Sequence, residues 1–360
     1  MTDVGGVLWV ENPHQPLATP GLVSAEEIWS TQGPSEGDIW EAPRRIRVGN
    51  GIVYLMDRQA SKIHRVTLGG EPLSPLGEPG QGPGQYRRLV DALPLPEGLF
   101  VVDGGNGRVD VLDQEGSLMT SAPLGQYVFS AVPLGEDAIA VSGVLGRERG
   151  WQLIDSRGTV APFEFPELEA PEGTEPPPNQ GATWGHRLVR WEYTVPRIWI
   201  YTSSGALERV IHIPFPPEEA TDAELNTMAQ EVGAVLAEDG VPAPVIHQEM
   251  ERLKARLRIK SRFRGIQFDD GSGLVALLEQ EPEDFGAGPA TLHLLSLEGI
   301  YLAALSFHQP WADFDLKDGV LYVLARDPVT DLVTLHVYSV TVPEDLLERA
   351  RELAWTDPPP

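Results

Sequence analysis

GLFVVDGGNGRVDVLDQEG, residues 98–116, decides the fold once it is laid against GIVYLMDRQASKIHRVTLGG, residues 51–70. Asp57 then falls on Asp103, Lys62 on Arg108, Ile63 on Val109, Arg65 on Val111 and Gly70 on Gly116, at an offset of about 46 residues. Each copy reads as an apolar run ending in Asp, a short turn, a basic residue, an alternating run and a second turn closed by Gly, which is strand, turn, strand, turn. Weaker copies end at Gly158 (WQLIDSRG), Gly205 (RIWIYTSSG) and Gly299 (TLHLLSLEG), so the marker glycines 70, 116, 158, 205 and 299 are separated by 46, 42, 47 and 94 residues. A period in the forties with three or four short strands per unit is that of a propeller blade, whose sheet stacks face to face on its neighbours around an axis.

The double gap holds an insertion. TDAELNTMAQEVGAVLAEDG, residues 221–240, opens on a Thr221/Glu224 capping box, carries Leu225, Met228, Val232, Val235 and Leu236, and stops at Gly240. Ile246, Met250, Leu253 and Leu257 follow at helical spacing, so residues 216–260 are expected to form a helical hairpin inserted in a blade. Strands resume at FRGIQFDDGSGLVALLEQ, and a sixth unit follows from Ala312, with Asp318-Gly319 as its hairpin turn. A ring of sheets closes best when one blade mixes strands from both chain ends, and GVLWVEN at 6–12 is assigned to the last blade for that reason. Residues 343–356, with Leu346, Leu347, Ala350, Leu353 and Ala354 on one face, read as a C-terminal helix, and the acidic, Pro-rich stretch 166–181 as a solvated excursion. The expectation is therefore an all-β chain, one six-bladed β-propeller over residues 1–360 with the insertion at 216–260.

Bulk composition narrows the partners. The chain has 360 residues, with 53 acidic against 27 basic residues and a net charge of -26, which repels polyanions and makes nucleic acid and anionic membrane poor partners. No Cys is present, so disulfides, thiolate metal sites and a Cys nucleophile are excluded. The start MTDVGGVLWVENP lacks a basic segment followed by an apolar one, and no run of ~18 apolar residues occurs. The location expected is extracytoplasmic if a leader preceded this numbering and cytoplasmic otherwise.

GQGPGQYRRLVDALPLPEGLFVVDGGNGRVDVLDQEGSL, from Gly80, resembles an NHL-type repeat in its Gly-Pro-Gly lead-in with an aromatic, its strand ending in Asp, its Asn-x-Arg turn and its closing Asp-x-x-Gly. The layout, with helices inserted before the fifth unit, is similar to bacterial six-bladed NHL-like propellers. The resemblance implies the fold more strongly than an activity, because such propellers include lyases, lactonases and pure binding platforms.

The chemistry must therefore come from a site. Gly80, Gly82 and Gly84 look like a phosphate loop, but the spacing fits neither a dinucleotide fingerprint nor a P-loop, a strand follows, and Gln-Gly-Pro recurs at 32–34 before another inner strand. The loop reads as a joint between blades. Asp57 with Lys62 and Asp103 with Arg108 recur at one place in the repeat, which suits an Asp that accepts turn N–H bonds while the basic residue covers it. DFDLKDG from Asp313 places its third acid at position 6 and Leu324 at position 12, against the needs of an EF-hand, so no metal or other cofactor is expected. Calcium belongs only to the alternative reading, a metal-assisted lactonase or lyase at the channel mouth. His64, His293 and His336 lie in alternating strands as outer-face residues, and His186 beside Trp184 is the one histidine with a catalytic look.

The unusual feature is a basic run in an acidic protein: Arg252, Lys254, Arg256, Arg258, Lys260, Arg262 and Arg264. A helix to about residue 259 and a strand from 262 would leave Arg262 and Arg264 near the channel mouth, where Arg44, Arg45, Arg87 and Arg88 lead into two other inner strands. Those six arginines are the candidate ligand residues, for a small anion or carboxylate. The function expected is a non-catalytic binding or scaffolding propeller, with a protein partner taken through loops, the inserted helices or the C-terminal helix.

Overall fold

The marker glycines turn the chain between the third and fourth strands of successive blades. In the computed structural model each donates its N–H to the carbonyl three residues back, Gly70 to Thr67, Gly116 to Asp113, Gly158 to Asp155, Gly205 to Thr202 and Gly299 to Ser296. Each has a positive φ, from 75° at Gly158 to 96° at Gly116, which only glycine adopts without strain. Four of them also pack on the fourth strand of the preceding blade, against Trp29, Leu76, Thr120 and Ile211. A Cβ on Gly299 would lie 2.6 Å from Ile211 Cγ1 as well as in the left-handed region. Gly299→Ala is accordingly expected to lose about 2–4 kcal/mol in urea unfolding. A loss below about 0.5 kcal/mol would contradict the packing role of the turn.

The structure describes the chain from Thr2 to Trp355 apart from residues 5, 34–39, 97, 125–126, 146–147, 164–180, 186, 193–196, 214, 216–218, 224, 228, 231–232, 234–242, 244–245, 248–249, 252–253, 255–262, 281–287 and 328. Six sheets form the blades, antiparallel except at one added strand of blade 4. Blade 1 runs outward from Pro43–Gly49 through Ile52–Asp57 and Lys62–Thr67 to Pro72–Leu76. The inner strands of blades 2 to 6 are Leu89–Leu95, Tyr127–Leu134, Gly181–Trp184, Phe263–Asp269 and Trp311–Lys317. Second strands such as Gly98–Asp103 and Leu274–Gln280 carry continuous apolar runs because both of their faces are covered by neighbouring blades.

Closure differs from the expectation. Ser24–Thr31 supplies the outer strand of blade 6, antiparallel to Val333–Thr341 with Trp29 opposite Val337. That blade has no marker glycine because its fourth strand comes from the other end of the chain. Val7–Glu11, assigned by its sequence to the last blade, instead lies parallel to Leu207–His212, and Thr2–Val4 pairs beyond it, so blade 4 has six strands. Burial explains the choice: Val10, 1% exposed, joins Ile198, Ile200 and Ile211, while Val7 and Trp9 pack on Trp199 and Val210. Ser24–Thr31 has no buried residue, which is why its pattern does not announce a strand.

The predicted turn at Asp318-Gly319 holds, with φ of 51° and 74°. Every described residue from Asp222 to Lys254 is helical, Leu225 and Ala229 are buried, and Ile246 and Met250 pack on Gly233. The C-terminal helix spans Glu344–Trp355 and buries Leu346 and Ala350 in the core shared by blades 5 and 6. Among the described residues no helix is long and apolar enough to cross a membrane.

Candidate functional site

The loop before blade 2 shows how the arginine end of the propeller is built. Asp103 ends the second strand, is fully buried, and its carboxylate accepts N–H bonds from Gly105 at 3.0 Å, Asn106 at 3.2 Å and Arg88 at 3.1 Å, with a longer contact to the Arg87 N–H. It therefore ties its own turn to the lead-in of the inner strand. Arg108 does not cover Asp103 as the repeat suggested. Its guanidinium donates to the carbonyls of Gln81, Gly82 and Gln85, and Asn106 Nδ2 donates to Gly80 and Gln85. A phosphate cradle points N–H groups inward. Here the loop points carbonyls at a cation, so Gly80–Gly84 is a clamped joint.

In five blades the inner strand carries a bulge at the same place, putting one extra residue at Arg44, Val90, Phe129, Arg264 and Ala312. Just past it stand Arg45, Asp91, Ser130, Gly265 and Asp313, and two residues further Arg47, Leu93, Val132, Gln267 and Asp315. Charge is thus concentrated on blades 6, 1 and 2. Arg47 donates to Asp91 at 2.8 Å and lies 3.5 Å from Asp313, and Arg45 lies 3.8 Å from Asp91. Asp313 accepts the Ile46 N–H at 3.1 Å and Asp315 the Val48 N–H at 2.7 Å, so blade 6 satisfies the inner edge of blade 1. Burial pushes the Asp315 carboxyl up to about 7 against the pull of Arg47, and it raises Asp313 in the same way. Burial opposes the charge of Arg47 too, but Asp91, Asp313 and Asp315 outweigh it and hold its pKa above the ordinary value.

Arg44, Arg45 and Arg88 each lie within electrostatic range of a residue not singled out by the sequence, Arg58. The pKa of Arg58 is pulled down, first by partial burial and then by the like charges of Arg45, Arg88 and Arg44. Arg58 follows the repeated Asp57 in the turn after the second strand, and that position was the available signal. Arg88 donates to the Val128 carbonyl at 3.0 Å, and neither it nor Arg58 has an ion-pair partner among the described residues. Arg87 is exposed and packs beside Gly105. Arg264 occupies the bulge of blade 5, equivalent to Arg44, and its side chain and Arg262 lie outside the described residues. The inserted segment leaves blade 4 after His212 and returns at Phe263, the start of an inner strand, so it emerges at this same end.

Other candidates separate from this cluster. His293 is not an outer-face residue: it is 3% exposed, lies 2.7 Å from Glu279 and 3.1 Å from the Tyr301 hydroxyl, and its ring centre is 4.5 Å from that of Phe215. His186 lies outside the described residues. Among the described residues no group of three His, Asp or Glu side chains is spaced to hold a metal ion. A cleft of about 720 Å³ opens at the opposite end of the strands, where turns of blades 2 to 4 supply Pro96, Leu134, Glu136, Asp137, Gly185 and Ser203.

No family model and no curated relative matches the sequence. Solved structures do. A member of the DUF4221 family from Bacteroides vulgatus is 11% identical with a TM-score of 0.57, over 90% of this chain and 99% of its own. A protein from Bacteroides fragilis is also 11% identical, with a TM-score of 0.55 over 93% of this chain and 99% of its own. At that identity the likeness is one of architecture: the chain shares the β-propeller fold of these proteins, built here with six blades.

Proposed function

We propose that the protein is a binding propeller that takes a small anionic ligand, a carboxylate or a similar oxyanion, at the arginine end of its channel. The observation that carries this is the convergence of Arg44, Arg45, Arg58 and Arg88 in a chain of net charge -26. Arg58 is partly buried and has the like charges of Arg45, Arg88 and Arg44 around it, an unfavourable setting for a cation unless an anion joins them. A metal-assisted lactonase or lyase would need carboxylates open to a cation, whereas Asp91, Asp313 and Asp315 are turned on Arg47 and on edge amides. Docking of a partner through the C-terminal helix has less support, since Leu346, Ala350 and Ala354 of its apolar face are buried within the fold.

Thermal melts in sodium sulfate, held against sodium chloride at equal ionic strength, test the reading. Sulfate is expected to raise the melting temperature of the wild type, and the Arg58→Ala/Arg88→Ala double variant to bind it at least tenfold more weakly, since each charged hydrogen bond contributes about 1.5–3 kcal/mol. Equal sulfate shifts in the two proteins would overturn the site.

A further inference from the structure

The arginines at the mouth do not face empty space on their inner side. Behind them Asp91 and Asp313 already occupy positions on Arg45 and Arg47 that an incoming anion would seek, and Asp315 stands two residues further along the inner strand of blade 6. We infer that anion capture at this end is coupled to proton uptake by the Asp313/Asp315 pair; this rests on the anion reading above and adds its regulation.

The geometry is that of an internal competitor. Arg47 is shared between Asp91 of blade 2 and Asp313 of blade 6, and its side chain retains 18% exposure, while Arg45 retains 38% beside Asp91. Arg45 is the more exposed of the two and is open to an anion drawn in by Arg44, Arg58 and Arg88, and Arg47 lies two residues further along the same strand. Each ionised acid there repels the anion, and Asp91 and Asp313 also hold the Arg47 guanidinium that it needs. Protonation removes the repulsion without breaking the fold, because a neutral carboxyl still offers an oxygen to the Ile46 and Val48 N–H groups that Asp313 and Asp315 now satisfy.

The surroundings favour Asp315 as the group that titrates. Asp313 has Arg47 at 3.5 Å, whereas Asp315 is bonded only to backbone, to Val48 and to Leu316 at 2.9 Å. The groups facing the pair are Arg47 and Arg45 from blade 1, Asp91 from blade 2 and Tyr322 from blade 6, and Asp318 acts in turn on Tyr322. From blade 5, Gln267 is held on the Phe314 carbonyl. The Tyr322 phenol is itself pushed up to about 12, by burial and then by these acids, so it stays neutral throughout the range in question. Burial lifts Asp315 to about 7, which places the proton exchange near neutrality.

Calorimetric titration of the whole chain with sodium sulfate, in two buffers of different ionisation heat at pH 6 and pH 8, reads both quantities. Sulfate remains a dianion at both, so any proton exchanged belongs to the protein. The wild type is expected to take up about one proton per sulfate at pH 8 and to bind about tenfold more weakly there than at pH 6, the change required when one group of pKa near 7 must be protonated. Asp315→Asn, which keeps the oxygen for Val48, is expected to lose both effects and to bind at pH 8 as tightly as the wild type at pH 6. Asp313→Asn provides the second variant and is expected to weaken the coupling. Sulfate binding of equal affinity at both pH values with no proton uptake would overturn the coupling and leave the anion site standing. Absence of sulfate binding between pH 5 and pH 8 would overturn the anion site and the coupling together.

Discussion

Asp103→Ala is expected to lose about 3–5 kcal/mol of folding stability, more than any other single change in the turns at the arginine end. The carboxylate is fully buried and accepts from the backbone N–H groups of Arg87, Arg88, Gly105 and Asn106 as well as from Asn106 Nδ2. Alanine would leave these donors without a partner, at about 1–3 kcal/mol for each that water cannot reach. Arg87 and Arg88 are exposed, so water recovers part of the loss, and the estimate stays below the sum of the separate bonds. The change would also free Asn106 from the turn, and with it the clamp on the Gly80–Gln85 joint. Asp327 in blade 6 gives the internal comparison. It too accepts two turn N–H bonds, from Val329 and Thr330, but it is exposed and ties down no neighbouring strand. Asp327→Ala should cost about 1 kcal/mol or less. Urea unfolding of the two variants measures the contrast, and similar losses for both would show that the tie to the inner strand contributes nothing.

Legibility in the sequence followed local geometry. The marker glycines could be read because each is required by a positive φ, and four of the five also by a neighbouring blade within a few ångströms, so the same residue recurs wherever the same turn does. Asp57 and Asp103 could be read for the same reason: an Asx turn fixes one residue type at one position. The basic partner was misread because Arg108 at the repeated position reaches out of its turn to a loop more than twenty residues back, a contact that spacing does not encode. Closure was misread because the choice between Val7–Glu11 and Ser24–Thr31 depends on which blade has an uncovered outer face, and that is a property of the assembled ring. Val10 and Trp9 fit the apolar cover needed by blade 4, whereas blade 6 accepts an edge strand rich in Ser and Glu.

The site was legible only at its rim. Arg44, Arg45, Arg87 and Arg88 stood out as pairs ahead of inner strands, and the structure adds the reason that Arg44 and Arg264 correspond: both are the extra residue of the same bulge. Asp91, Asp313 and Asp315 gave no such signal. Asp313 and Asp315 invite a metal reading from sequence because alternate acids share a face, yet their partners are backbone amides of the next blade and an arginine, supplied by pairings over 260 residues away. A ring architecture brings the first and last blades together, and the seam between them is where charged side chains do what ladder hydrogen bonds do within a blade.

Arg47→Leu is therefore expected to lose about 3–5 kcal/mol at pH 8, because it strips the shared cation from carboxylates that cannot leave the channel. The loss should shrink as the pH falls. A carboxyl whose folded pKa lies above its unfolded value binds its proton more tightly in the folded state, so acidification across the interval between the two values favours folding. In the wild type that interval runs for Asp315 from about 7 down to 3.8, and removing Arg47, the largest influence opposing burial at both acids, raises Asp313 and Asp315 further and widens it. Neutral acids have no need of the guanidinium. Much of the deficit should accordingly be gone by pH 5, within reach of the ~1.4 kcal/mol that each unit of pKa difference represents. Arg45→Ala, at the more exposed position 3.8 Å from Asp91, should cost under about 1 kcal/mol at any of these pH values. Urea unfolding of wild type and variant in parallel from pH 5 to pH 8 isolates the effect, since groups elsewhere titrate alike in both and cancel in the difference. A deficit for Arg47→Leu as large at pH 5 as at pH 8 would mean that Arg47 acts through its packing, and that the seam between blades 6 and 1 is held without regard to the charge of its acids.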